Sequence, residues 1–322
     1  MLGVSPNRAV IREAIVDDVL VVGEALVDIV RRQDGSCAEH PGGSPANVAL
    51  GLARLGRPVR LLTRVGDDPR GDVVRAHLES SGVRLEPGSF VPGPTSTASA
   101  LIDASGVATY EFALDWDLPH SVDVGSASTL HTGSIAAFLR PGGDAVIELL
   151  ERAKGHLTIS YDPNARPDLM GNPDAALARM EKIVALSDVV KVSDEDLAWL
   201  APGQDPVTIA SSWLDRGPAL VVVTRGGAGA FAVARSGQVE VPSPAVDIVD
   251  TVGAGDSFTS GLIDYLAGAG LLGTDRLSAL RDTPVHDVRA MLEHAARAAS
   301  ITCSRAGANP PTRAELLARL GG

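Results

Sequence analysis

The chain has 322 residues, of which 45% are apolar and only 3% aromatic, so Val, Leu, Ile and Ala must fill most of a sizeable interior. Its formal net charge of −12 argues against a nucleic-acid or anionic-membrane partner. Cys37 and Cys303 lie far apart and lack metal-ligand spacing, which indicates neither a disulfide framework nor a zinc site. No apolar run reaches the length of a membrane span, and charged residues stand where a signal peptide would be apolar, so we expect a cytoplasmic protein.

The first predicted strand is the apolar run at residues 19–22, which ends at Gly23. Residues 24–29 follow with Asp28 inside an otherwise apolar alternation. A carboxylate at that place either lies at the exposed rim of the strand or faces a ligand hydroxyl, and the pattern alone leaves both open.

Residues 41–47 lead into a predicted helix, with Ser44 as a candidate N-cap. Gly42 and Gly43 either are ordinary loop residues or let the backbone approach a ligand closely. Asn47 has a poor propensity for the helix interior, so a ligand role fits it better than a structural one.

The alternation of strands and helices is interrupted at residues 95–112, which alternate with period two around turn residues 103–106. This pattern predicts a β-hairpin. We interpret the hairpin as an insertion into an α/β domain.

Two later predicted strands are each followed by polar residues. Residues 162–166 stand after the strand at 157–161, where open α/β sheets place ligands, and Arg166 is either a ligand-binding cation or a solvated loop residue. Residues 193–196 follow the strand at 189–192 and are typical of helix caps and a solvated turn.

The apolar strand at residues 219–224 is followed by Arg-Gly-Gly-Ala-Gly and then by Phe231, where strand character resumes. This is not Gly-x-Gly-x-x-Gly and it opens no helix. The pattern of a P-loop, Gly-x-x-x-x-Gly-Lys, is not found after a strand either. A dinucleotide-binding or P-loop enzyme is therefore disfavoured.

A strand-to-helix junction stands at residues 250–257. Residues 246–249 alternate as a short strand, and Phe258, Leu262 and Leu266 recur with the spacing of a helix core stripe. The junction is therefore predicted to be the N-terminus of a helix.

A helix N-terminus carries unpaired N–H groups and the positive pole of the helix dipole. Because Gly253, Ala254 and Gly255 add little bulk there, the junction is a plausible phosphate seat. Asp256 in that seat is either a general base that takes the proton of an attacking hydroxyl or an N-cap, and the stretch alone favours neither.

Asp250, Thr251, Gly253, Ala254, Gly255 and Asp256 stand at the fixed positions of a signature, Asp-Thr-x-Gly-Ala-Gly-Asp. The stretch resembles that of the PfkB (ribokinase-like) carbohydrate kinases, and other segments resemble the fructokinase-type members in the same order along the chain. The resemblance implies a ribokinase-like three-layer α/β/α fold with a mostly parallel central sheet and a small β-lid. It implies one kinase domain over residues 1–322, with lid insertions at about 31–41 and 90–116.

The resemblance also implies roles for single residues. Asp256 would be the catalytic base, and the backbone of Gly253, Ala254 and Gly255 the anion hole. The implied sugar contacts are Asp28, Gly42, Gly43, Asn47 and Arg166.

By the same resemblance the chain uses ATP and Mg²⁺. The implied nucleotide-binding residues are Ser193, Thr224, Gly226, Gly229 and Asn309, with the adenine against the helix at 288–302 and the loop at 307–310. Asp196 would reach the metal through water. The chain departs from the family's Asn-x-x-Glu here, because Ser193 replaces Asn and Asp196 replaces Glu. Glu195 is therefore an alternative to Asp196 as the residue that organises the metal. Activation by K⁺ near Asp247 and Ile248 is a further possibility.

The partners implied are a small sugar and ATP, with a possible homodimer through the β-lid. Residues 160–166 and 191–194 favour fructose, yet 2-keto-3-deoxygluconate, ribose and nucleoside kinases share the skeleton. Lid residues Tyr110, Phe112 and Trp116 are expected to decide among them. A non-catalytic sugar or nucleotide sensor is the remaining alternative, which the altered residues at 193–196 allow.

Overall fold

The computed structural model describes residues 18–32, 34–102, 108–119 and 122–319, so the predicted hairpin turn at residues 103–106 lies outside the described residues. The strands are β1 (Asp18–Val22), β2 (Leu26–Arg32), β3 (Cys37–Gly42), β4 (Val59–Leu62), β5 (Val65–Gly66), β6 (Arg84–Leu85), β7 (Phe90–Val91), β8 (Thr97–Ile102), β9 (Ala108–Ala113), β10 (Ala127–Gly133), β11 (Thr158–Asp162), β12 (Val189–Ser193), β13 (Leu220–Thr224), β14 (Ala230–Ala234) and β15 (Gly237–Val241).

The helices alternate with most of these strands. They are α1 (Ser44–Arg54), α2 (Pro69–Glu79), α3 (Gly142–Ala153), α4 (Pro167–Met170), α5 (Pro173–Leu186), α6 (Asp194–Leu200), α7 (Pro206–Leu214), α8 (Ala254–Gly268), α9 (Leu277–Arg281), α10 (Val285–Cys303) and α11 (Arg313–Ala318). Among the described residues, none of these helices combines the length and the apolar composition that crossing a bilayer requires.

A nine-stranded sheet forms the centre of the described structure, in the order β15-β14-β13-β12-β11-β10-β1-β4-β6. All neighbouring pairs from β6 to β13 are parallel, and β14 and β15 extend the sheet with antiparallel pairs. Parallel strands that alternate with helices are covered on both faces. The predicted mostly parallel sheet is confirmed.

Strand β1 shows how the two helix layers cover the sheet. Val19 and Val21 pack into one core with side chains of α1, α8 and α10, and Leu20 and Val22 pack into a second core with side chains of α3, α5 and α7. Successive residues of a strand point to opposite faces, so one short apolar run serves both cores. This is the predicted three-layer arrangement.

A small sheet of four strands, in the order β3-β2-β8-β9, stands apart from the central sheet. The β8–β9 pair is antiparallel, as the predicted hairpin requires, and β2 joins β8 in parallel. In chain order this sheet starts with β2 at Leu26, which is earlier than residue 31, the expected start of the first lid insertion. Residues 90–91 belong elsewhere, because β7 pairs with β5 in a separate two-stranded sheet.

The prediction of a strand at residues 246–249 is wrong. No strand is assigned there, and the backbone N–H groups of Val249 and Asp250 donate to the carbonyl of Cys303 at 2.8 and 3.2 Å. The chain leaves the edge strand β15 at Val241 and must reach α8, which packs against α10 inside the molecule. The segment therefore pairs with the last residue of α10 and not with a strand, and an alternating pattern alone does not make a strand.

Candidate active site

A cavity of about 600 Å³ opens at the carboxyl ends of the parallel strands. Ser134 and Asp194, which directly follow β10 and β12, line it, as do Asn164, two residues after β11, and Thr224 at the end of β13. Open α/β sheets place their ligands at this edge. The first turns of α1 and α8 and the inner face of the small sheet complete the wall.

Asp256 is the central carboxylate of this cavity. It is the third residue of α8, its exposure is 7%, and it lines the cavity wall. The Ser44 hydroxyl donates to its Oδ1 at 2.6 Å, and the Asn47 amide donates to its Oδ2 at 2.8 Å. Burial raises the pKa of Asp256 above its ordinary value, and the two hydrogen bonds oppose that rise.

The alternative that Asp256 is an N-cap is excluded. The N-cap of α8 is Gly253, whose φ of 74° suits glycine, and no side chain caps the helix. A side chain at Gly253 would also collide with Ala308, since an ideal Cβ would lie 2.6 Å from the Ala308 Cβ. The Ala254 N–H donates to the Thr251 carbonyl at 3.2 Å, but in the described structure the N–H groups of Gly255 and Asp256 are left open, as an anion-binding site requires.

The glycine pair before α1 serves two separate purposes. An ideal Cβ on Gly42 would lie 2.0 Å from Asp28 Oδ2, so Gly42 makes room for that carboxylate. Gly43 has a φ of 102°, and a Cβ there would lie 2.5 Å from the carbonyl oxygen of Glu24. Gly43 and Asp28 line the cavity, whereas Gly42 stands behind Asp28.

Arg166 lies at the exposed rim of the cavity. Its Nη1 donates to the Asn164 carbonyl, the Asn164 side chain and the Ala165 carbonyl, at 2.8–3.0 Å. Asn164 has a positive φ of 38°, as does Ser134 with 53° on the neighbouring strand end. Left-handed non-glycine residues concentrate at functional sites, and both of these line the cavity.

The polar residues 193–196, at the end of β12 and the start of α6, both cap the helix and line the cavity. Ser193 is the N-cap of α6 and forms a capping box with Asp196. Asp196 also accepts from the Ala165 N–H at 2.9 Å, so both of its oxygens already receive backbone hydrogen bonds. Ser193, Glu195 and Asp196 nonetheless line the cavity. Among the described residues, no group of three or more acidic, His or Cys side chains could hold a metal ion by itself.

A second, smaller cavity of about 200 Å³ adjoins the first, and Thr224, Gly226, Thr251 and Gly255 line both. The remaining wall is mostly apolar and comes from the loop after β13, the loop before α8, α8 itself and α10. Its members are Gly227, Gly229, Ser243, Val246, Ile248, Ala254, Phe258, Ala296, Ala299, Ser300 and Cys303.

Asn309, expected among the nucleotide-binding residues, lines neither cavity. Its Oδ1 accepts from Arg54 Nη1 at 2.5 Å, and Arg54 also donates to the Pro310 carbonyl. Of the aromatic residues expected to select the sugar, only Phe112 lines the larger cavity. Trp116 is buried and donates to the Ala136 carbonyl, and Tyr110 is 57% exposed.

Sequence reasoning missed two buried charged residues in the cavity wall, Glu24 and Lys191. Burial raises the pKa of Glu24 to about 7, although its Oε2 accepts the Ala136 N–H at 3.1 Å. Lys191 forms an ion pair with Asp162 at 3.0 Å. The signal for Lys191 was available, because a lysine inside the apolar run of β12 is out of place unless it is paired.

Comparison with known proteins finds fructokinases among the similar sequences and structures. The chain is 36% identical over 275 residues, which are 81% of this chain and 83% of the relative, to a fructokinase of Rhizobium leguminosarum bv. trifolii. A fructokinase structure with bound ATP from Xylella fastidiosa matches with a TM-score of 0.82 and 25% identity, covering 94% of this chain and 98% of that one. A fructokinase double mutant from Vibrio cholerae O395, with fructose, ADP and potassium ion bound, matches with a TM-score of 0.77 and 27% identity over 94% of this chain and 98% of that one.

The family match covers almost the whole chain. Residues 16–315 match the family described as pfkB family carbohydrate kinase. This range contains both cavities and all the elements that line them. The chain belongs to the pfkB family of carbohydrate kinases.

Proposed function

We propose that the protein transfers the γ-phosphate of ATP to a primary hydroxyl of fructose. Family membership supports an ATP-dependent sugar kinase, and the fructokinases among its relatives support fructose as the sugar. The observation that carries the proposal is the place of Asp256, a buried carboxylate that faces a cavity beside the uncapped N-terminus of α8.

Asp256 acts as the general base in this proposal. Burial makes the carboxylate a better proton acceptor than an exposed aspartate, and Ser44 and Asn47 fix its orientation. The open N–H groups at the positive pole of α8, among them those of Gly255 and Asp256, hold the phosphoryl oxygens as negative charge shifts between them. Phosphoryl transfer needs this combination of positioning and charge stabilisation more than covalent chemistry.

The sugar lies between α1 and the small sheet. Asp28 and Arg166 offer an acceptor and a donor for sugar hydroxyls, and Gly43 leaves the backbone accessible. Asn47 holds Asp256 and reaches the same space. Asp28, Ala98 and Phe112 stand opposite one another in the register of the small sheet and cover the cavity, as a lid that limits water access to the phosphoryl group would.

The adenine base lies in the smaller cavity, whose wall of Val246, Ile248, Phe258 and Ala296 suits an apolar ring. Thr224, Gly226 and Gly229 line the path from that cavity, and Ser193 the side nearer the phosphates. An ideal Cβ on Gly229 would lie 2.1 Å from the Val241 carbonyl, so glycine is required there by the fold itself.

Mg²⁺ fits this site as an ion that the nucleotide carries. Magnesium keeps several waters and usually binds through one or two carboxylates plus substrate phosphates. Asp196, with both oxygens already hydrogen-bonded, would reach the ion through water, and the exposed Glu195 carboxylate stands beside it. When bound, the ion neutralises charge on the phosphates. For K⁺, the exposed loop at Asp247 and Ile248 is the proposed region.

Two properties of the whole protein complete the proposal. Leu101 and Tyr110 of the small sheet are both more than half exposed, which supports a homodimer through that sheet. Because the reaction consumes ATP, we place it in the cytoplasm.

The test is ADP release by the purified protein with Mg²⁺ and ATP, over a panel of fructose, 2-keto-3-deoxygluconate, ribose and a nucleoside, each with and without K⁺. We expect the highest kcat/KM with fructose. Asp256→Asn, measured in parallel, should retain the fold by circular dichroism and lose roughly 10² to 10⁴ in kcat, the usual effect of removing a general base.

The possible outcomes separate the alternatives. Preference for another sugar would overturn fructose and keep the kinase. Absence of ADP release with every sugar, combined with measurable binding of sugar or ATP by calorimetry, would instead indicate a sensor. Near-normal turnover of Asp256→Asn would remove the proposed base.

A further inference from the structure

A buried charge pair lies behind Asp256. Lys191 on β12 is 5% exposed, and its Nζ lies 3.0 Å from Oδ2 of Asp162, at the end of β11. The Thr259 hydroxyl, from the helix that carries Asp256, donates to the same oxygen at 3.0 Å. The pair is therefore attached directly to the catalytic helix α8.

The ammonium group lies next to the residue that precedes Asp256. An ideal Cβ on Gly255 would stand 3.1 Å from Lys191 Nζ, so the ammonium group lies directly against the backbone of this residue. Lys191 also lines the larger cavity, whereas Asp162 is covered almost completely, with 1% exposure. The cation therefore lies nearer to the cavity, and the anion lies behind it in the interior.

The pair is expensive for a purely structural feature. The second oxygen of Asp162, Oδ1, is buried and accepts no hydrogen bond from any of the residues that the structure describes. A half-satisfied buried carboxylate costs stability, and a buried ion pair seldom stabilises more than well-packed apolar residues of the same volume. Charge kept at such a cost next to a titrating carboxylate points to a role in the site.

We propose that Lys191 and Asp162 are positioning residues for phosphoryl transfer, which act through Asp256: the cation favours its ionised, proton-accepting form, and the anion opposes it. The proposal rests on the role of Asp256 in the proposed function. It adds two residues that set how strongly that base holds its proton.

The other groups around the pair are compatible with this assignment. Burial would lower the pKa of Lys191, but Asp162, Asp196 and Asp256 raise it above its ordinary value, so the ammonium stays charged. Burial lowers the pKa of the neighbouring His131 to about 3, so that ring stays neutral. Ser44 and Asn47 of α1 donate hydrogen bonds to Asp256, and the carboxylate of Asp28 from β2 also faces it. Burial raises the pKa of Asp256, with Asp162 adding to the rise and Lys191 countering it.

The experiment compares Asp162→Asn, Lys191→Met and the double variant Asp162→Asn/Lys191→Met. The titration of Asp256 is followed by NMR of protein labelled with ¹³C at the aspartate carboxyl carbon, with the resonance assigned by its loss in Asp256→Asn. The kcat/KM for the preferred sugar is measured across the same pH range. A matched control is Asp188→Asn/Lys154→Met, which removes another ion pair of 3.1 Å, between the buried Asp188 and the partly exposed Lys154, at the opposite end of the strands.

We expect the Asp256 midpoint to move to lower pH in Asp162→Asn and to higher pH in Lys191→Met. At pH 6, Lys191→Met should lose roughly tenfold more kcat/KM than at pH 8, as for removal of an opposite charge a few ångströms away. In the double variant the midpoint of Asp256 should lie at higher pH than in Asp162→Asn. This comparison isolates the effect of Lys191 even if Lys191→Met alone does not fold. The control should leave the midpoint unchanged.

An Asp256 midpoint that stays at its wild-type pH in Asp162→Asn and in the double variant would overturn the proposal, and the pair would then be structural. Because the NMR titration needs no turnover, this result is distinct from failure of the proposed kinase activity. If the protein phosphorylates no sugar, but the Asp256 midpoint moves to lower pH in Asp162→Asn and to higher pH in Lys191→Met, the electrostatic coupling is supported and the proposed reaction is not.

Discussion

The Ser44 hydroxyl donates a hydrogen bond of 2.6 Å to the carboxylate of Asp256 across 212 residues of chain. Ser44 is the first residue of α1, and Asp256 lies in the first turn of α8. Two helix N-termini therefore meet at one carboxylate. Because Asn47, one turn along α1, holds the other oxygen, α1 fixes the carboxylate at both ends.

We expect Ser44→Ala to make catalysis more sensitive to acid. The hydrogen bond from Ser44 lowers the pKa of Asp256 against the larger effect of burial, so its removal leaves the pKa higher and less of the base ionised at low pH. The acid limb of the kcat/KM profile should move to higher pH, with a loss of roughly tenfold at pH 6, typical of one hydrogen bond to a charged group.

The control for this variant is Ser212→Ala, whose hydroxyl donates to the Ile209 carbonyl within α7. It should leave the pH profile unchanged. An equal loss of kcat/KM in Ser44→Ala at every pH from 6 to 8 would contradict the electrostatic explanation and indicate misplacement of the sugar instead.

Much of the site was predictable because parallel strands bring their carboxyl ends to one edge. Arg166, Ser193, Thr224 and Asp256 lie in four separate segments, yet each follows or ends a strand or lies in the first turn of a helix. The strand–helix alternation alone predicts that such positions converge. Local sequence was therefore sufficient to gather these four residues, whereas Asp28 lies inside β2 of the small sheet and Glu24 and Lys191 were missed.

Contacts between distant segments were not predictable in this way. Nothing in residues 44–47 shows that Ser44 faces a carboxylate and not its own helix end, and Gly43 takes the N-cap position instead. The partner of Lys191 depends on which strand lies next to β12, which is a property of the strand order. The local pattern of Asn309 likewise does not reveal the arginine that binds it.

The buried Glu24 gives the protein a pH-dependent stability that a single variant should remove. Its folded-state pKa of about 7 lies above the ordinary value of 4.5, so its contribution to stability is fully present below pH 4.5 and is lost as the pH rises through 7. At pH 8 the buried carboxylate costs about 3 kcal/mol, as an upper bound, relative to a neutral group. Glu24→Gln keeps an acceptor for the Ala136 N–H and carries no charge.

We therefore expect Glu24→Gln to raise the free energy of unfolding at pH 8 by up to about 3 kcal/mol and to change it little at pH 4.5. Urea unfolding followed by circular dichroism at both pH values measures this difference. Glu79→Gln, at an exposed position at the end of α2, should change stability at neither pH. Destabilisation by Glu24→Gln at pH 8 would show that the carboxylate is held by favourable interactions that outweigh its burial.

Asp264 connects the catalytic helix to three other parts of the chain, and we expect its loss to destabilise the fold. Its carboxylate, 1% exposed, binds Arg57 at 2.6 Å, His294 at 2.9 Å and Arg313 at 2.5 Å. Burial acts to raise the pKa of this carboxyl, yet these partners together hold it at about 2. The stabilisation is thus present above pH 3.8 and is lost only as the pH falls through 2, so it is complete at neutral pH.

Asp264→Asn leaves Arg57 and Arg313 without their buried counter-charge, and removing one partner of a buried pair typically costs 3–5 kcal/mol. Because the two arginines keep partial contact with water, at 20% and 40% exposure, we expect a loss of about 3 kcal/mol at pH 7, the lower end of that range. Urea unfolding measures it, with Asp275→Asn as the control at an exposed carboxylate. A loss no larger than that of the control would mean that apolar packing between α8 and α10, and not this ion-pair cluster, holds the helix that carries the base.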